Sequence, residues 1–155
     1  MDEPLEDDPQ QVALHQVIGL LTPLRQHRQA SAERAHRQAQ LELKSMLDHL
    51  AETRASLNQE RENHKRRRES LSHAHLQRTL SLTDVDGWHE KERTMLDRLA
   101  YIRQDVQQQQ MRVAEQQALL EQKRLQAKAS QRAVEKLACM IGLTPSMIMS
   151  APPAG

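Results

Sequence analysis

Apolar residues recur every seven positions along two stretches of this chain. In the first, the series reads His36, Leu43, Leu50, Leu57, His64, Leu71. In the second it reads Leu99, Val106, Val113, Leu120, Ala127, Val134, Ile141. A sustained seven-residue repeat predicts left-handed supercoiling of one helix on another. Companion positions are weaker. They are Ala39, Met46, Thr53, Glu60 and Arg67 in the first stretch, and Met95, Ile102, Gln109, Gln116, Lys123, Ser130 and Leu137 in the second. The predicted seam is therefore narrow, and half polar in its middle.

The stretch from Leu24 to about Arg78 holds neither Gly nor Pro, and predicts one long helix. "LSLTDVDGW", from Leu80 to Trp88, gathers Ser, Thr, Asp and Gly and reads as a turn. Thr83 with Asp86 suggests the cap of the helix that follows. Laid antiparallel, Leu43 meets Leu120, Leu50 meets Val113 and Leu57 meets Val106. Those pairs are symmetric about a point between Ser81 and Leu82, inside the turn that composition marks independently. The expected fold class is all-α, a long antiparallel two-helix coiled-coil hairpin. Helix one is expected over 23–78, the turn over 79–87 and helix two over 84–141. Each helix would have roughly 55 residues and rise about 1.5 Å per residue, a shaft about 80 Å long with no water-excluding pocket.

The ends read differently. "MDEPLEDDP" carries five acids and two prolines, and predicts a disordered acidic arm over 1–9. A short helix is expected over 10–21, with Thr22 capping a new helix at Pro23; a proline kink within one longer helix is the alternative. Gly142 followed by Pro145 predicts the end of helix two, and a flexible Pro-rich tail over 142–155.

Composition narrows the class. Of 155 residues 37% are hydrophobic, against about 45–50% in globular chains. Aromatics are 1%, namely Trp88 and Tyr101, so a compact core is excluded. Charged residues make up 28% with a net charge of +1, which does not suggest a dedicated nucleic-acid binder. A thin seam on long helices predicts a partially disordered hairpin that gains order from a partner. There is no basic-then-apolar start, and the longest apolar patch, Val17 to Leu24, is too short to span a bilayer. With a single cysteine, Cys139, the expected compartment is cytoplasmic, without membrane insertion.

Candidate chemistry is sparse. His73 and His75 point to different helix faces, and Cys139 has no cysteine companion, so no metal site or cofactor is expected. No phosphate loop or catalytic constellation is visible, and no enzyme activity is expected. "HKRRRE", His64 to Glu69, reads as a solvated helix face before it reads as a phosphate contact. Trp88 beside the turn is either a plug or a binding anchor. "VALHQVIGLLTPL" and "VEKLACMIGL" carry more apolar residues than two helices can cover. That surplus predicts either insertion of this end into a partner or a short helix folding back over it.

With its length, mid-chain turn and the Gln/Arg/Glu-rich "EKERTMLDRLAYIRQDVQQQQMRVAEQQALLEQKRL", the chain resembles the FliJ/YscO family of type III secretion, in particular its HrpO-like branch. The resemblance covers nearly the whole chain. It implies a virulence-associated stalk at the base of a membrane secretion apparatus, linking a hexameric export ATPase to an export-gate protein, with secretion chaperones as further partners. The paired helix ends (Leu20, Leu21, Leu137, Met140, Ile141) would contact the ATPase. The turn end (Val85, Trp88) would contact the gate. The seam would run through Leu43, Leu50, Leu57, Leu71, Leu99, Val106, Val113, Leu120 and Val134. Two other readings stand beside it: a generic coiled-coil adaptor or holdase-like chaperone, and a coiled coil binding nucleic acid through its basic run.

Overall fold

A computed structural model describes residues 8–75 and 81–142. Among them are two α-helices that pack against each other, hairpin-like, and no strand: α1 (Pro9–His75) and α2 (Leu82–Met140). Residues 1–7 of the expected acidic arm, 143–155 of the expected tail, and 76–80, where helix one is expected to end and the turn to begin, lie outside the described residues. No helix among those described is long and apolar enough to cross a membrane.

α1 starts one residue before the expected boundary. Asp8 accepts a hydrogen bond from the Gln10 N–H at its Oδ1 (3.1 Å), and the Val12 N–H reaches the Asp8 carbonyl (3.1 Å). Asp8 is thus the N-cap, and Pro9 takes the first helical position, where its missing N–H costs nothing. The expected break at Thr22–Pro23 does not occur, because Pro23 lies inside α1. An interior proline costs about 3 kcal/mol or more. Long helical flanks and the burial of Ile18 one turn before it offset that cost. The Thr22 hydroxyl, expected as a cap, instead donates back to the Ile18 carbonyl (2.7 Å).

α2 starts two residues before the expected boundary. Ser81, not Thr83, is the cap: its Oγ accepts from the Asp84 N–H (3.2 Å), and its carbonyl accepts from the Val85 N–H (3.2 Å). Asp84 then falls in the first turn, where a carboxylate favours the helix dipole. The predicted turn residues from Leu82 to Gly87 are helical as a result. At the other end Gly142 adopts φ +73° and its N–H reaches the Cys139 carbonyl (3.3 Å), a left-handed stop that suits glycine.

The chain divides into two compact units. Glu42–Gln117 forms one of them. Its core is Leu50, Leu57, Leu99, Val106 and Val113, with Leu43, Met46 and Ile102 packed against it. The helices run antiparallel here, since Thr53 meets Gln109 while His64 meets Glu92. The Thr53–Gln109 contact is symmetric about Ser81, half a residue from the centre that the heptads predict.

The other unit, Met1–Leu41 with Ala118–Gly155, is held by smaller side chains. Ile18, Ala39, Val134, Leu137 and Ala138 are buried, and Ala138 is fully covered (0% exposed). Arg25 spans this unit, donating from Nη1 to the Ala133 carbonyl (3.1 Å). Val134, Leu137, Ala138 and half-buried Ile141 follow the three-and-four spacing of one helix face.

Candidate functional site

Within the Glu42–Gln117 unit the seam is not uniform. Going outward from Leu57 on α1 and Leu99 on α2 toward Ser81, no described residue over 61–75 or 81–95 is fully buried. The facing side chains there are Leu71 from α1 and Trp88 and Met95 from α2, all half-buried. They leave an open cleft of about 770 Å³. The cleft stands open to solvent and is not a water-excluding pocket. The seam closes only where Leu and Val interdigitate, and this stretch supplies neither often enough.

Polar groups ring this cleft. Glu92 Oε1 lies 3.7 Å from His64 Nε2 and 3.6 Å from Arg68 Nε. His64 thus reaches across from α1 to α2, with its Nε2 buried and no hydrogen-bond partner among the described residues. Arg67 and Lys91 also line the cleft and have no ion-pair partner among the described residues. Asp84 lies on the same rim. Trp88 sits with its ring centroid 5.0 Å from that of His89, tilted by 45°. Val85, the other expected gate-end residue, is half-buried. No Phe, Tyr or Trp interleaves "HKRRR" along the sequence. The structure supplies the aromatic from the opposite helix, which no local pattern displays.

Deeper in the same unit two glutamines occupy seam positions. Gln109 is buried and donates from Nε2 to Thr53 Oγ1 (2.9 Å), and its own Oε1 is buried with no partner among the described residues. Gln116, also buried, donates from Nε2 to Glu42 Oε2 (3.4 Å). An ion pair from Arg98 Nη2 to Glu60 Oε1 (3.0 Å) flanks the core. Thr53, Glu60, Gln109 and Gln116 all appear among the weaker heptad companions, so a polar layer was legible there, though not its partners.

The expected seam residues fall as follows. Leu50, Leu57, Leu99, Val106, Val113 and Val134 are buried, while Leu43, Leu71 and Leu120 are half-buried. Of the residues expected at the paired ends, Leu20 (76% exposed) and Met140 face solvent. Leu21 and Ile141 are half-buried, and Leu137 (3% exposed) belongs to the interior of its unit. Val12, Leu14, Val17 and Leu24 join Leu20 as exposed apolar residues on the first turns of α1. Ile18 and Ala138 are buried residues that the heptad series passes over.

On the surface of that second unit, Arg124 holds Glu121 with two hydrogen bonds, Nη2 to Oε1 (2.6 Å) and Nε to Oε2 (2.9 Å). The hydrogen bond from Arg124 holds the Glu121 carboxyl below the usual carboxylate range, and the same pairing raises Arg124. Among the described residues no three His, Cys, Asp or Glu side chains gather as a metal would need. No protein-family model matches the chain, and no curated protein or solved structure matches it significantly.

Proposed function

We propose that this chain is the non-catalytic stalk of a type III secretion export apparatus, coupling a hexameric export ATPase to the export gate from the cytoplasmic base of the machine. The observation that carries the reading is the antiparallel packing of two long helices through a thin Leu/Val seam. The family resemblance of the Gln/Arg/Glu-rich second helix adds to it. Such a coupling part needs no active site. It needs an asymmetric contact for the ATPase and a second contact for the gate. Leu20 and Met140 supply exposed apolar surface for the first, with Leu21, Leu137 and Ile141 supporting them from below. Trp88 and Val85 stand for the second.

The test is capture of the purified secretion ATPase by the immobilised chain. Leu20→Glu with Met140→Glu alters only exposed positions, so helicity by circular dichroism stays at the wild-type level while capture is lost. Capture at full strength by the double variant refutes the assignment. A holdase or adaptor is the second reading, favoured by the exposed Val12, Leu14, Val17 and Leu24. A holdase suppresses aggregation of many unrelated denatured clients, whereas a stalk captures one ATPase and leaves such clients unaffected.

A further inference from the structure

We propose that the cleft floored by Leu71, Trp88 and Met95 is a docking site for a short acidic segment of a partner protein, one that carries a single apolar side chain among its carboxylates. This deepens the turn-end contact of the reading above and rests on it for its biological setting. The recognition chemistry stands on the cleft itself. Its floor is apolar and comes from both helices. Displacing water from a partly covered tryptophan is a common source of binding energy at protein interfaces. Its rim holds Arg67 and Lys91, each without an acidic partner among the described residues. Two carboxylates flanking an apolar anchor would pair with them, setting orientation and selectivity.

The acids on the rim fix how much negative charge the site accepts. Glu92 is already paired with Arg68, at 3.6 Å from its Nε. Asp84 sits in the first turn of α2, where the helix dipole offsets its charge. What remains is a small positive excess. That suits a few carboxylates rather than a phosphate backbone, whose binding grows with the number of phosphates neutralised. Arg67 and Lys91 disfavour a strongly basic segment by like-charge repulsion, while Asp84 and Glu92 limit how many carboxylates the cleft accepts.

Trp88 is the only tryptophan of the chain, so its fluorescence reports on this cleft directly. The experiment titrates the full chain with a synthetic peptide of about twelve residues, in which Glu and Asp surround one Leu. A second peptide replaces every acid by its amide, and a third probe is a single-stranded oligonucleotide of about twelve nucleotides. The expected result is a saturable change of Trp88 emission with the acidic peptide, weakened by added salt and absent with the amide peptide. Arg67→Glu with Lys91→Glu, both at exposed positions, turns two attractions into repulsions and lowers affinity by about tenfold or more. Equal responses to the acidic and amide peptides overturn the proposal. So does undiminished binding by the charge-reversed chain, or tighter binding of the oligonucleotide than of the acidic peptide. No ATPase is present in this assay, so a failed ATPase capture and a failed peptide titration are separate results.

Discussion

Replacing Gln109 by Leu is expected to stabilise the protein, although it removes a hydrogen bond between the helices. Three terms decide the sign. The bond from Gln109 Nε2 to Thr53 Oγ1 is lost, which costs about 0.5–1.5 kcal/mol. The Thr53 hydroxyl is not stranded, because it is half-buried and already donates to the His49 carbonyl at 3.0 Å. Against this, Gln109 Oε1 is buried and unpartnered among the described residues. Removing such a group recovers a desolvation penalty of about 1–3 kcal/mol. Two methyl groups replace the amide beside Val106 and Val113, adding about 1.5 kcal/mol of apolar burial. Helix propensity hardly changes, since Gln and Leu rank close together. The net expectation is a gain of about 2 kcal/mol. With a urea slope of about 1–3 kcal/mol per molar, the unfolding midpoint followed by helicity rises by about 1 M. An unchanged or lower midpoint would show that the amide is fully satisfied in solution and that the seam depends on it.

Two further outcomes follow from the other unit. Ala138→Leu forces extra volume into a fully covered position, and is expected to cost about 1–3 kcal/mol in chemical denaturation; a neutral result would mean that the helices there are free to separate. Arg124→Gln removes the hydrogen bonds that depress the Glu121 carboxyl, so carbon-detected NMR titration should place its midpoint closer to the usual carboxylate value. A group depressed by folding contributes stability above its unfolded value and loses it as pH falls through the folded one. The wild-type chain therefore has this small contribution at neutral pH and loses it in acid, while the variant lacks the share that Arg124 supplies.

Much of the pairing was legible because a seven-residue period survives any detail of side-chain packing. Leu50, Leu57, Leu99, Val106 and Val113 stand at heptad positions and form the core of their unit. Thr53 meets Gln109 almost at the register the heptads imply. Ala138 escaped notice because alanine carries little hydrophobic signal, and only helix-to-helix closeness makes it interior. Pro23 misled because proline's local cost is large and visible, whereas the packing that offsets it is neither. The cap at Ser81 was displaced to Thr83 because both hydroxyls precede an acid by three residues. The cleft was invisible for a different reason: Leu71 and Trp88 are separated in sequence, and only the chain's return brings them to one place.

Pro23 has a mechanical consequence. With no N–H to give, it leaves the Gly19 carbonyl without its usual helical donor, and Gly19 has open space where a side chain would stand. Bending stiffness is thus lowered about three to four turns into α1, while the Thr22 hydroxyl keeps a grip on the Ile18 carbonyl beside it. The leading turns can tilt to follow an uneven surface without unwinding what comes after, as a compliant coupling does between two shafts out of line.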